Sequence, residues 1–299
     1  MQTAKQYELS EGIIYYNDYA DKAYNGICIT AYEGNAEQLL VPQCIDNYPV
    51  YAIGKKAFLG NRLLRRIVLP DTIEAIGDWA FSRCRMLTSI TLPKKNICFG
   101  NQVFQKSEQL DEINFEESNE ALSRLVAAAV TLLEAEYLLS PLEAGSSNWY
   151  QSLDSRILTI LSESEDIALK NLVYCAEEDM GAKQEACLRA LAQRKACIAF
   201  LRLIYPENIT GVTKQILTDY LLQRTKGCKD ESAWEFVKEN HNMGLQYCDK
   251  LFEINGINEE NINEVLDDLG EDNVELKAYL LKKWQGRGQN VDIWESLEF

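Results

Sequence analysis

The 299-residue sequence holds a single histidine, His241. Imidazole-based metal sites and relays that need two histidines are thereby excluded. The remaining nucleophilic option is a His241–Cys248 couple, seven positions apart. Both sit at what reads as a turn between helices, and an exposed turn histidine is the expectation. Long apolar runs are missing too. The longest uncharged apolar stretch, Leu125 to Leu133, is about half of what a membrane span needs. The first ten residues, Met1 to Ser10, carry no apolar core and no small-residue cleavage site. They therefore do not read as a signal peptide, and a cytoplasmic chain is expected. Neither G-x-x-x-x-G-K-[ST] nor G-x-G-x-x-G occurs, so no phosphate-cradling loop is expected. Gly286-Arg-Gly288 reads as a plain loop.

Cysteine is present but unpaired by pattern. Nine cysteines are scattered without any C-x-x-C, which suits reduced thiols in an intracellular protein. Cys175, Cys187 and Cys197 fall on predicted helices among Val, Ala, Leu and Ile, and read as core rather than as zinc ligands. The acidic clusters Glu177-Glu178-Asp179 and Asp267-Asp268 lack the spacing of a calcium loop, so they read as solvated helix faces. No metal and no cofactor is expected.

The net charge is −16, unevenly spread. Up to residue 117 the chain has 12 basic and 15 acidic residues, against 18 and 31 beyond it. The acidic second part repels phosphate backbones and anionic lipid, so nucleic acid and membrane are not expected partners. One stretch runs the other way. Between Lys55 and Lys95 nine basic residues face only Asp71, Glu74 and Asp78.

A repeat organises the first part. Ile53-Gly54-x-x-Ala57-Phe58 returns as Ile76-Gly77-x-x-Ala80-Phe81, at an offset of 23 residues. Leu64, Ile67, Leu69 and Pro70 match Leu87, Ile90, Leu92 and Pro93 at the same offset, and a third copy supplies Phe99-Gly100, Val103-Phe104, Leu110, Ile113 and Phe115. Ile90 and Leu92 fall on one face of a short strand and Ser89 and Thr91 on the other. Pro93 sits at the strand exit, where its missing N–H harms no ladder. Gly77 is expected to supply a turn. One coil cannot bury its own apolar side, so stacked coils share a core, with Phe58, Phe81 and Phe104 as an aromatic ladder.

The pattern I-G-x-x-A-F-x-x-C-x-x-L-x-x-I-x-L-P resembles the BspA-type leucine-rich repeat. Ile76 to Pro93 matches it throughout, including Cys84; Asn61 and Ser107 replace the cysteine in the flanking copies, and Glu116 replaces the last proline. The lead-in Ile27 to Gly34, Val41-Pro42 and Tyr48-Pro49-Val50 resembles the N-terminal cap of such arrays, so the resemblance spans about residues 24–116. It implies a parallel-stranded solenoid and a role in protein recognition. Members of the family are often secreted bacterial adhesins or protozoan surface proteins.

Beyond Glu116-Glu-Ser-Asn119 the period becomes helical. Leu122, Leu125, Val126, Ala129, Leu132, Leu133 and Tyr137 form a stripe, with Ser118 or Asn119 as N-cap and Pro141 as the end. Cys187, Leu188, Leu191, Ile198, Leu201 and Tyr205 form another, stopped by Pro206. A helix is expected from Asn258 to Gly270, and one from Val274 to Trp284. Phe236-Val237 aligns with Val265-Leu266 at offset 29, and Leu251-Phe252 with Leu280-Leu281; an ankyrin-like helix-pair repeat and a plain bundle both fit.

The expectation is an α+β chain: a cap and solenoid over residues 1–117, then an acidic all-helical domain over 118–299. The first helix, in 119–140, is expected to cap the solenoid's open end. The expected function is non-catalytic recognition of another protein by the exposed strand face, namely Arg66 and Val68, Ser89 and Thr91, Glu112 and Asn114. Arg62 and Arg85, one coil apart, mark a basic flank where an acidic group would dock. The alternatives are an enzyme with a carboxylate site between the two parts, or an adhesin exported without a classical signal.

Overall fold

The computed structural model describes residues 4–21, 24–163, 180–240, 245–271 and 273–286. It divides into two compact units, Met1–Ile160 and Leu161–Phe299. The fold is α+β, a β-solenoid of about four turns followed by helices.

The first unit opens with an antiparallel arrangement of β1 (Lys5–Leu9), β2 (Gly12–Asp21) and β3 (Tyr24–Gly34). Then come β4 (Gln38–Leu40), β5 (Cys44–Ile45), β6 (Tyr48–Ile53), β7 (Arg66–Val68), β8 (Ala75–Ile76), β9 (Ser89–Thr91), β10 (Cys98–Phe99) and β11 (Glu112–Asn114). Two sheets wind around the core. One runs in the order β1-β2-β3-β6-β8-β10, with β5 beside β6, and the other β11-β9-β7-β4. The coil-to-coil pairings are parallel and keep the offset of the sequence repeat: Ile67 lies opposite Ile90, and Ile90 opposite Ile113.

The third wall is made of turns joined by a backbone ladder. The N–H groups of Lys56, Phe58 and Gly60 donate to the carbonyls of Asp78, Ala80 and Ser82, at 3.0, 2.8 and 2.8 Å. One coil on, Trp79, Phe81 and Arg83 donate to Asn101, Val103 and Gln105. Left-handed backbone recurs down this wall, at Lys56, Trp79 and Gln102 and again at Gly60, Arg83 and Lys106. Gly77, expected to supply a turn, has no positive φ. Its requirement is proximity: a Cβ there would stand 2.6 Å from the Lys55 nitrogen and 3.0 Å from the Gly54 carbonyl carbon. Gly100 meets the Asp78 nitrogen at 2.5 Å in the same way. The glycine column thus lets one coil's backbone touch the next.

Inside, Phe58, Phe81 and Phe104 stack at centroid separations of 5.0 and 5.6 Å. Tyr32 from β3 heads this ladder, 5.7 Å from Phe58. The cysteine column has a defined task. The Cys84 thiol donates to the Phe58 carbonyl at 3.1 Å, and the Ser107 hydroxyl to the Phe81 carbonyl at 2.7 Å. Serine therefore replaces cysteine without loss of the donor. Asn61 acts instead within its own coil, where its side-chain oxygen accepts from the Leu63 and Leu64 N–H groups.

The helix α1 (Glu120–Thr131) packs against β11, across the last coil. Asn119 is its N-cap, accepting from the Leu122 N–H at 2.8 Å. Ser118 is used elsewhere and accepts from the Phe115 N–H. Leu110, Ile113 and Phe115 are all buried under this cap. The helix stops well before Pro141. Glu134 turns left-handed, a 3₁₀ turn covers Glu136–Leu138, and Tyr137 points to solvent at 67% exposure rather than joining the buried stripe. The helix α2 (Ser147–Ser162) is held to this region through Trp149 Nε1 on the Leu138 carbonyl and Arg156 Nε on the Leu133 carbonyl. Strand character ends at Asn114, whereas the compact unit continues to Ile160.

The second unit contains α3 (Met180–Ile204), α4 (Gly211–Leu222), α5 (Ser232–Asn240), α6 (Gln246–Glu253), α7 (Ile262–Asp268) and α8 (Val274–Gln285). No strand follows residue 119 among the described residues. Phe236, Val237, Leu251, Phe252, Val265, Leu266 and Leu280 are buried. Arg202, fully buried at the end of α3, donates to the carbonyls of Tyr205 and Glu207 and so supplies the donors that close the helix. Asp268 accepts from Trp234 Nε1 at 2.8 Å and from Lys238 at 2.7 Å, with Lys226 at 3.5 Å. Burial alone would push its carboxyl up; the bonds from Lys238 and Trp234 and the two lysine charges hold it below the ordinary carboxylate value.

Phe81→Ala removes the middle rung of the ladder and is expected to cost about 3–5 kcal/mol, read as a lower midpoint in denaturant unfolding; an unchanged midpoint contradicts the stacked register. A chain ended at residue 117 is expected to aggregate or melt well below one ended at residue 163, because only the longer one keeps α1 over Phe115. Equal melting of the two would show that the cap is dispensable.

Candidate functional site

The sheet β11-β9-β7-β4 presents two outward columns, set by the period of two along each short strand. Gln38, Arg66, Ser89 and Glu112 form one; Leu40, Val68, Thr91 and Asn114 form the other. Between them Leu39, Ile67, Ile90 and Ile113 are buried. The six residues expected to form a recognition face are thus brought together in two rows, one coil apart at each step. Gln38 and Leu40 were not expected there. Their signal was Leu39-Leu40-Val41-Pro42, which parallels Ile67-Val68-Leu69-Pro70 at an offset of 28 residues, outside the main period.

The two ends of the face differ. At the β11 end, Asn114 donates to the Ser89 hydroxyl at 3.0 Å and approaches the Glu112 carboxylate at 3.5 Å, so three of these side chains are engaged with one another. Ser89, Thr91, Glu112 and Asn114 are only half-exposed. At the β4 end Leu40 is 72% exposed and Val68 37%, and Arg66 stands beside them in solvent. Adjacent apolar side chains in water on neighbouring strands are what a partner would cover.

Arg62 and Arg85 occupy equivalent positions on consecutive coils at the corner leading into this sheet, and both are exposed. Arg83, Arg85, Lys106, Glu108 and Gln109 line a depression of about 610 Å³ at the same corner.

A depression of about 920 Å³, open to solvent, lies by the β1–β2 turn and has Glu11, Glu33 and Glu37 in its lining. Glu33 accepts from the Tyr15 hydroxyl at 3.0 Å and Glu37 pairs with Arg65 at 3.5 Å, so these two carboxylates are occupied. His241, Cys175 and the Glu177-Glu178-Asp179 cluster lie outside the described residues. Cys248, the other half of the candidate couple, is buried, and burial beside Asp249 pushes its thiol up to about 12. Burial likewise lifts Cys84 to about 11. Asp268 belongs to the lysine–tryptophan cluster above. Among the described residues no three His, Cys, Asp or Glu side chains converge as metal ligands do.

Eight cysteines are free among the described residues, with Cys44 and Cys98 exposed. In the folded protein a maleimide is expected to label Cys44 and Cys98 rapidly and to spare Cys84 and Cys248 until denaturant is added, as read by peptide mass spectrometry. Fast native labelling of Cys248 would restore it as a nucleophile candidate.

Residues 43–152 match the family described as "BspA type Leucine rich repeat region", in six copies. The match extends past the last strand into α2. No curated protein matches the chain. Among solved structures, a leucine rich cell surface protein from Faecalibacterium prausnitzii is similar at 26% identity, over 38% of this chain and 33% of that one, with a TM-score of 0.30. A leucine-rich repeat protein of T. pallidum is similar at 24% identity, over 37% and 64%, with a TM-score of 0.29. One from Bacteroides capillosus is similar at 20% identity, over 37% and 98%, with a TM-score of 0.28. The chain thus spans a third of the first relative's length and under two thirds of the second's. The 23-residue coil, the glycine contact column, the phenylalanine ladder and the family match coincide over residues 43–152, the region that matches the BspA-type leucine-rich repeat family.

Proposed function

We propose that this protein is a non-catalytic recognition module that grips another protein with the outward face of the β11-β9-β7-β4 sheet. One observation carries the reading: exposed Leu40 and Val68 stand side by side in a row fixed by strand register, next to Arg66 in the neighbouring row. A rigid row needs little ordering when a partner binds, so its apolar contact area converts efficiently to affinity. Serine, threonine, asparagine and glutamate further along the same rows supply a polar rim. The net charge of −16 makes nucleic acid and anionic lipid poor partners for the chain as a whole. No described helix is long and apolar enough to cross a membrane. We assign the protein to the cytoplasm, a location that suits its free thiols.

A photo-cross-linking amino acid placed at Val68 or at Thr91 is expected to capture the same partner in the source cell. The same group at exposed Glu143, away from the sheet, is expected to capture nothing in common with them. Identical capture from all three positions, or none from Val68 and Thr91, removes the strand face as the recognition surface.

A further inference from the structure

The cations of the repeat fall into two classes. Arg65 pairs with Glu37, Lys55 with Asp78, Lys94 with Glu117 and Lys95 with Glu74. Lys56 lies over the Trp79 ring at 5.4 Å. Arg62, Arg66, Arg83, Arg85 and Lys106 have no side-chain partner among the described residues. These five are not scattered. Arg83 and Lys106 share one column of the third wall, Arg62 and Arg85 share the next, and Arg66 opens the strand face beyond them. The column of Arg62 and Arg85 ends in Glu108, the single acid lining the depression.

Like charges stacked one coil apart repel one another, and the cost falls when an anion lies between them. The repeat resolves this with carboxylates on its other flanks and leaves this corner open. We propose that the corner formed by Arg62, Arg83, Arg85 and Lys106 docks an acidic segment of the partner protein that the strand face grips; this rests on the recognition reading above. A short acidic peptide suits the site better than other anions. The depression of about 610 Å³ is open and spreads over two coils, so it follows a chain rather than enclosing a small ion. At physiological salt charges act over about 8 Å, so a short segment senses the corner alone. A long polyanion, such as duplex DNA or an anionic membrane, also meets the neighbouring flanks of the repeat, where the carboxylates of Glu37, Glu74, Asp78 and Glu117 stand.

The test is a titration of the full chain into a short fluorescein-labelled polyglutamate peptide, followed by anisotropy at low and high salt. Gly60 fills the position of Arg83 one coil earlier, also with positive φ, so Arg83→Gly removes the charge without straining the backbone. Arg83→Gly combined with Arg85→Gln is expected to weaken binding about tenfold, the sum expected from losing two exposed charge pairs. Glu108→Gln is expected to tighten it. Lys55→Gln, which removes a cation already paired on another flank, and Val68→Ser, on the strand face, are expected to leave it unchanged. Thermal melting checks that each variant is folded. Unchanged peptide affinity in the Arg83/Arg85 variant overturns the assignment, as does stronger competition by duplex DNA or inorganic phosphate than by unlabelled peptide. Because Val68→Ser should not move this titration, failure here leaves the cross-linking result at Val68 and Thr91 to judge the strand face separately.

Discussion

Neighbouring coils of the solenoid must come close enough for backbone to bond backbone, and most of the repeat serves that contact. Glycine at 54, 77 and 100 removes the Cβ that would strike the coil beneath. The turns of the third wall adopt left-handed backbone at two positions per coil so that alternate N–H groups reach the next coil's carbonyls. For Lys56, Trp79, Arg83, Gln102 and Lys106 that conformation is unfavourable by about 1 kcal/mol each, and the ladder offsets it. Once the spacing is fixed, Phe58, Phe81 and Phe104 have nowhere to go but into a stack. The outward columns on the opposite sheet follow from the same spacing.

A stack of this kind has two ends, and each is closed differently. At the start, β3 joins β6 in parallel, and Tyr32 covers the first phenylalanine. At the finish, α1 lies against β11, and Gln102 of the last third-wall turn donates to the Glu136 carboxylate beyond the helix. Both closures cover apolar side chains that no further coil would bury, and each uses an element with a different backbone pattern from the coil. A helix satisfies its own backbone groups, so α1 does not invite another coil to add, whereas β1 remains the edge strand of its sheet.

The charges follow from the architecture as well. In the repeat, acids and bases one coil apart form rungs between exposed neighbours, each worth little singly. In the helical unit the arrangement is more internal. Asp268 gathers an indole N–H and two lysines between helices α5 and α7 and the turn after α4, and Tyr279 and Lys283 of α8 meet Asp249 of α6. These clusters tie short helices whose own hydrogen bonds would not hold them in water.

The sequence by itself determined the 23-residue period, the core of the repeat, the change to helix near residue 119 and six of the eight outward residues on the strand face. These are local or periodic properties, and the repeat states them three times over. Only the tertiary structure decided why glycine stands at position 77, because the clash that forbids a side chain there involves the backbone of another coil. It also decided that Leu40 joins the outward strand face, since a 28-residue lead-in breaks the period while the strand still pairs with β7. The end of α1 at Thr131, ahead of Pro141, depends on Glu134 turning left-handed, which no helical periodicity records. Which cations remain unpaired was equally hidden, because a charge's partner is set by the neighbouring coil and not by its neighbours in the chain.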